Sequence, residues 1–357
     1  MISPRKTMAN ARAYQIFNED RSSKTRLDLN ENAWGCSPKV LEVIENATVE
    51  DIALYPEYGS FLTKFSQHYN VSVENVIISN GADDSIRCVF DCLVEQDDEV
   101  LLPVPNYGMF DIFGRIRGAK ITEVLYNEDF TFPTNKILEF VSEKIKLIII
   151  VNPANPLGTT IPANELITIL KKAKESFILL DETYVHFVNK SYVELIRQFD
   201  NLIIVQTFSK AYGLTGLRLG ILFSNEKNIH HLEKVNLPFA VNTIALKAGS
   251  AALEDQEFIQ QVVKNVANET KFLQTELTKI GIETRACKTN FLLIKIGDQA
   301  DQVYQALQDR GVLLRNLSKY PLLKGYLRIS IGKRADNLKL LDTLRQVCSF
   351  FENVNKV

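Results

Sequence analysis

From about residue 76 onward, short apolar runs alternate with stretches of helical periodicity, the runs falling at residues 76–79, 99–102, 120–124, 147–151, 177–180, 202–205 and 219–223. That alternation is the pattern of an α/β fold whose large domain holds a mostly parallel, seven-stranded sheet. Between the first two runs, Ile86, Val89, Phe90 and Leu93 recur at i, i+3, i+4 and i+7, which predicts an amphipathic helix over 83–95. Further helices are expected at 163–175 and, as one long element, at about 243–280. Past residue 282 the rhythm changes. Apolar runs at 291–296, 312–314 and 327–331 are separated and followed by helical stretches at about 300–310 and 335–351. This reads as a smaller α+β C-terminal domain, completed by the N-terminal segment. The expected division is 1–35 for that segment, 36–250 for the large domain and 251–357 for the small one, with the boundary inside the long helix.

Ligands on open α/β sheets bind outside the carboxyl ends of the strands. Five of the runs lead there into unusual polar residues: Ser79-Asn80-Gly81-Ala82-Asp83, Pro105-Asn106-Tyr107, the loop from Asn152 to Gly158, Asp181-Glu182-Thr183-Tyr184, and Thr207-Phe208-Ser209-Lys210. These strand ends should converge on one pocket. Lys210 leaves a core strand with hydroxyls at Thr207 and Ser209 and a guanidinium at Arg218 nearby in sequence. A neighbouring positive charge and partial desolvation both lower a lysine pKa toward a neutral, nucleophilic amine. Schiff-base chemistry needs such an amine.

Composition narrows the partners. A chain of 357 residues with 46% hydrophobic content can bury an enzyme-sized core, and its length favours two domains. A net charge of -2 with no long Lys/Arg block offers no footprint for nucleic acid or an anionic membrane, so small molecules are the expected partners. The five cysteines, Cys36, Cys88, Cys92, Cys287 and Cys348, are odd in number and irregular in spacing, which fits reduced thiols. Cys88 and Cys92 share one predicted helix face, where core packing explains them. His230 and His231 have no metal-ligand spacing around them, so no metal site is expected. The polar N-terminus lacks an apolar stretch of signal-peptide type, and no apolar run is long enough to span a membrane, which places the expected location in the cytoplasm.

Pyridoxal phosphate chemistry asks for an amine, a carboxylate that keeps the pyridine nitrogen protonated, and donors around the phenolic oxygen and the phosphate. Each has a candidate. Lys210 supplies the amine and, once displaced by substrate, the base. Asp181, ending a buried strand, would pair with the pyridinium, since an unpaired buried carboxylate is expensive. Tyr184 and Asn155 can hydrogen-bond the phenolic oxygen. Thr207, Ser209, Arg218 and the backbone amides of Ala82 and Asp83 can hold the phosphate where Gly81 opens a helix. Tyr107 is placed to lie over the ring. Taken singly, Asp181 also reads as a helix N-cap, Asn155 as a turn residue and Tyr107 as core.

As a set, these residues resemble the fold-type I pyridoxal-phosphate aminotransferases, and within them the histidinol-phosphate aminotransferase group. The similarity runs over nearly the whole chain and includes Asn30-Glu31-Asn32, Tyr55-Pro56-Glu57, Gly81-Ala82-Asp83-Asp84, Asn106-Tyr107-Gly108, the Asn152 to Gly158 loop, the Asp181 to Tyr184 run, the Lys210 run, Arg315-Asn316-Leu317-Ser318 and Leu327-Arg328-Ile329-Ser330. The resemblance implies transfer of an amino group between a donor and a keto acceptor: imidazole acetol phosphate and glutamate giving histidinol phosphate and 2-oxoglutarate, in histidine biosynthesis. It implies a homodimer with a shared active site, where Tyr55 reaches the cofactor phosphate of the other subunit. It also implies that Arg328, with Arg315 nearby, binds the acidic end of the substrate, and that Glu31 and Asn32 belong to an N-terminal segment closing over the pocket. Its own alternation between Leu327 and Ile329 reads Arg328 equally as a solvent-facing strand residue. The alternatives are an aminotransferase for another phosphorylated or aromatic keto substrate, a decarboxylase of a phosphorylated amino acid, and a non-catalytic cofactor-binding module. The chain departs from the family pattern at Ala33, Ala154, Leu157, His186 and Ala240, none of them in the lysine, aspartate or phosphate set.

Overall fold

Strands Ile145–Val151, Phe177–Asp181 and Leu202–Thr207 are nearly continuous runs of apolar side chains, buried almost end to end. Strands with no polar face must be covered on both sides. In this computed structural model they are the centre of a seven-stranded sheet in the order Val76–Ser79, Gly220–Phe223, Leu202–Thr207, Phe177–Asp181, Ile145–Val151, Glu99–Val104, Lys120–Leu125. All neighbours are parallel except Gly220–Phe223, which runs antiparallel to both of its neighbours. The register sets Val151 beside Asp181 and Asp181 beside Val205, so these strands finish level at one edge. The structure describes residues 4–9, 13–14 and 20–354, with 348–354 as helix backbone alone. Parts of the 1–35 segment, the end of the 251–357 range and the reading of Cys348 therefore lie outside the described residues.

One face of the sheet packs on Phe61, Phe65, Leu166, Ile169 and Leu246, the other on Ile86, Val89, Phe90, Phe110 and Leu232. The helix expected at 83–95 spans Ala82–Leu93 and buries Ile86, Val89 and Phe90. It stops short of 95 because Val94 turns extended.

A second, antiparallel sheet has the order Arg315–Asn316, Tyr326–Ser330, Phe291–Lys295, Glu283–Ala286. It shares a core with the helices Gln256–Lys279, Ala300–Asp309 and Arg334–Val354 through Leu273, Leu292, Ile329, Leu340 and Leu344. Thr25–Arg26 pairs in parallel with Val312–Leu313, and Leu27 accepts the Ser330 amide, so the N-terminal segment is stitched to this sheet.

Two expectations are corrected. The single helix over 243–280 is two helices, Thr243–Leu253 and Gln256–Lys279. Asp255 leaves helical geometry between them and caps the second through the Phe258 amide, a local preference that overrides periodicity continuing through the break. The run at 312–314 does not join the second sheet: Val312–Leu313 pairs with the N-terminal segment, and the separate strand Arg315–Asn316 just beyond it joins that sheet. The edge strand Glu283–Ala286 has no apolar face and left no hydrophobic signal.

Candidate active site

The carboxyl edge of the large sheet and the facing side of the small one enclose a cavity of about 370 Å³. It is lined by Ala82, Asp83, Tyr107, Asn155, Asp181, Tyr184, Thr207, Ser209, Lys210, Arg218, Arg315 and Arg328. The five strand ends singled out in the sequence do converge. Glu31, Asn32 and Tyr55 are elsewhere. Glu31 pairs with Arg26, Asn32 donates to the Ala211 carbonyl at 2.8 Å, and both line an adjoining cleft. Tyr55 is 78% exposed on the outer surface against Phe239.

Lys210 follows strand Leu202–Thr207 and is half-buried, its Nζ donating to the Leu29 carbonyl at 3.0 Å. Its pKa is pushed down to about 8, first by burial and next by the Arg328 guanidinium, with Glu31 and Asp83 opposing. Arg218, the neighbour the sequence pointed to, contributes less than Arg328. Asp181 is 4% exposed, and burial pushes its carboxyl up to about 6 against the pull of the Thr183 amide, which donates at 2.8 Å. A carboxylate held this way gains from a cation placed in the cavity.

At the opposite end, helix Ala82–Leu93 begins at Gly81 with no side-chain cap, leaving its first amides for an anion. Thr207 and Ser209 bond each other at 3.0 Å beside it. Arg218, in left-handed backbone geometry, reaches Ser209, the Thr215 carbonyl and Asp83. The Asp84 side chain turns away to Arg87. Asp83 instead faces the site, taking hydrogen bonds from Arg218 and from the Tyr107 hydroxyl at 3.0 Å.

On the small-sheet side Arg328 is 7% exposed, which overturns its reading as a solvent-facing strand residue. It donates to Asn155 Oδ1 at 2.6 Å and to the Asp28 carbonyl at 2.7 Å, and burial lowers its pKa. Arg315 lies directly across the strand pair from it. The Tyr184 hydroxyl accepts from Asn30 Nδ2 at 2.7 Å, and burial pushes its pKa up to about 12. Asn30, Tyr14 and Tyr320 line the cavity without having been picked out as site residues. The Leu29 carbonyl is a backbone group with no residue-type signature. Asn30 was visible only as part of the Asn30-Glu31-Asn32 motif, where the flanking residues drew the attention.

The family described as aminotransferase class I and II matches residues 22–344 of the chain. The chain belongs to that family. Among curated aminotransferases, the histidinol-phosphate aminotransferase of Clostridium novyi (strain NT) is 30% identical over 346 residues, 96% of each chain. The structure of the histidinol-phosphate aminotransferase from Sinorhizobium meliloti in complex with pyridoxal-5'-phosphate superposes with a TM-score of 0.85 at 26% identity, covering 91% of both chains. L-threonine-O-3-phosphate decarboxylase from Porphyromonas gingivalis shares the fold, with a TM-score of 0.78 at 21% identity over 90% of this chain and 99% of that one.

The chain is thus a pyridoxal-phosphate-dependent aminotransferase, and the cavity suits that cofactor. It offers a depressed amine at Lys210, a buried carboxylate at Asp181 with no direct ion pair among the described residues, and an uncapped helix start ringed by hydroxyls and a guanidinium. Among the described residues no group of His, Cys, Asp or Glu could hold a metal ion. The anion end of this aminotransferase site is sensitive to a side chain at Gly81. Gly81 sits at φ 82°, and a Cβ there would run into the Arg218 guanidinium. Gly81→Ala is expected to weaken cofactor binding by about tenfold to a hundredfold, about 1–3 kcal/mol, because the added Cβ displaces the Arg218 guanidinium from the anion site. Fluorescence titration of cofactor-free protein with pyridoxal phosphate checks it, an unchanged affinity ruling the cradle out.

Proposed function

We propose that this aminotransferase interconverts histidinol phosphate and imidazole acetol phosphate, with 2-oxoglutarate and glutamate as the second pair. The observation that carries the reading is the pairing of Arg315 and Arg328 across adjacent strands over the cavity that holds Lys210. Two guanidiniums beside one amine suit a small amine bearing a doubly charged phosphate, and a dicarboxylate in the other half-reaction. Relatives bearing the histidinol-phosphate aminotransferase name over nearly the full chain support it.

When bound, pyridoxal phosphate supplies an aldehyde that takes up the amino group and a protonated ring that draws electrons from the substrate carbon. Lys210 Nζ would be the amine that binds the aldehyde and, when free, the base at the substrate carbon, its ammonium form giving the proton back as an acid. With its pKa near 8, a fraction of this amine is neutral at pH 7. Asp181 would keep the ring nitrogen protonated, Tyr184 and Asn155 would serve the phenolic oxygen, and Tyr107 would lie over the ring, while Thr207, Ser209, Arg218 and the amides of Ala82 and Asp83 would hold the phosphate.

Homodimerisation belongs to the same proposal, with Tyr55 of one copy completing the phosphate site of the other. The exposed apolar side chains of Val49, Ile52, Leu54, Tyr55, Leu237 and Phe239 support it, with Tyr55 and Phe239 ring to ring at 4.6 Å. Glu31 and Asn32 would belong to a segment closing the cavity, and residues 36–250 and 251–357 would be the cofactor and small domains, 1–35 completing the latter. No described helix is long and apolar enough to cross a membrane. A cytoplasmic location is proposed, supported by the free thiols Cys36, Cys88, Cys92 and Cys287.

The test is the visible spectrum of the cofactor-loaded protein as amines are added. Histidinol phosphate is expected to bleach the visible band to the pyridoxamine form, and 2-oxoglutarate to restore it. Bleaching by another amine alone, or release of carbon dioxide from a phosphorylated amino acid without a keto acceptor, overturns the substrate assignment.

A further inference from the structure

A buried hydroxyl carries one proton, and the direction in which that proton points decides whether Tyr184 can donate into the cavity. Three groups set it. The Ser330 hydroxyl oxygen accepts the backbone N–H of Asn30 at 2.8 Å, so its own proton is free to go to Asn30 Oδ1, 3.0 Å away. The carbonyl end of the Asn30 amide is thereby committed to Ser330, and the amide nitrogen faces Tyr184 at 2.7 Å. An amide nitrogen can only donate. The Tyr184 oxygen must accept, and its hydrogen is left for the cavity that Tyr184 lines.

Asn30 is fixed for this task. It is 1% exposed, with φ 55°, a left-handed geometry that asparagine tolerates better than most residues, and its carbonyl is held by Asn290 Nδ2 at 3.0 Å. The two residues before it touch other groups of the site, the Asp28 carbonyl taking Arg328 and the Leu29 carbonyl taking Lys210. Ser330 lies two residues beyond Arg328 on the same strand.

We propose that Asn30, oriented by Ser330, is a positioning residue that makes the Tyr184 hydroxyl an obligatory donor into the cavity. The proposal rests on the reading above that Tyr184 serves the phenolic oxygen of the cofactor. A donor at that oxygen withdraws electron density from the conjugated system and lowers the pH at which the visible band titrates. Losing the donor raises it. Asn30→Asp keeps size and backbone preference but can only accept when ionised, so it takes the proton of Tyr184 away from the cavity. Asn30→Gly removes the side chain while tolerating the left-handed backbone.

Spectrophotometric pH titration of the cofactor-loaded variants tests this. Asn30→Asp is expected to raise the midpoint of the visible band by about one pH unit, Asn30→Gly by less, and once Tyr184→Phe is present the Asn30→Gly rise to vanish and the Asn30→Asp rise to shrink to the direct effect of its charge. A wild-type midpoint in Asn30→Asp, or an equal rise in the Tyr184→Phe background, overturns the proposal. In cofactor-free protein carrying 13C at tyrosine Cζ, the Tyr184 resonance should shift in Asn30→Asp. An unmoved resonance overturns the proposal without reference to the cofactor. If Tyr184→Phe alone leaves the midpoint unchanged while that resonance still shifts, the place of Tyr184 beside the phenolic oxygen is what fails, and the catalytic use of Asn30 falls with it.

Discussion

Lys210→Ala is expected to lose turnover by about 10⁴-fold or more, because in the proposed function one amine supplies both the attachment point of the cofactor and the base that moves the proton. No other described residue lining the cavity can substitute. Among the described residues its other cationic nitrogen groups are the guanidiniums of Arg218, Arg315 and Arg328, which only donate, and its carboxyls belong to Asp83 and Asp181, bonded to Arg218 and to the Thr183 amide. The phosphate cradle is untouched by the substitution, so pyridoxal phosphate should still bind, more weakly and without the band of the wild-type protein. The absorption spectrum after gel filtration, with a steady-state assay alongside, checks both halves. A wild-type band in Lys210→Ala would sink the assignment of this lysine.

How much of this site was legible depended on what each group does. Lys210, Asp181, Thr207 and Ser209 stand at or just beyond the ends of strands whose apolar runs are unmistakable, so periodicity located them, and the parallel register then brought them level. Arg328 was half legible. Its alternation between Leu327 and Ile329 gave the strand, but a strand has two faces, and only the second sheet's position over the cavity turns that residue inward to Asn155. The depression of the Lys210 amine by burial and by Arg218 was legible, but the larger contribution of Arg328, close in space and not in sequence, was not. Least legible was the contribution of residues 28–30, two of which act through backbone carbonyls that every residue possesses. The break between Thr243–Leu253 and Gln256–Lys279 escaped notice although its cap, Asp255, is a standard one, because apolar positions continue on both sides of it.

Asp181→Asn is expected to stabilise the cofactor-free protein while destroying its activity, and the pH dependence separates these effects. In the folded state the Asp181 carboxyl titrates near 6, raised by burial from 3.8, so the folded protein holds this proton more tightly than the unfolded chain does. The stability contributed by holding it is complete below about pH 4 and is lost as pH rises through about 6, a loss on the order of 3 kcal/mol at pH 8. Asparagine carries no such charge and can still accept the Thr183 amide through its Oδ1. Cofactor-free Asp181→Asn should therefore unfold at nearly the wild-type temperature at pH 4 and several degrees higher at pH 8. Glu182, raised to about 7 chiefly by burial and in smaller part by the Asp181 charge, remains in both proteins, and removing that charge lowers its pKa and adds to the gain at pH 8. Loaded with cofactor, the same variant should turn over about 10³-fold more slowly, having lost the charge that keeps the ring nitrogen protonated. Thermal unfolding across pH, paired with kcat, decides between the two roles open to this side chain. A carboxylate kept as a helix cap would make Asp181→Asn less stable or neutral at pH 8 and leave turnover intact. One kept for a cation that arrives with the cofactor burdens the protein alone and is indispensable in the complex.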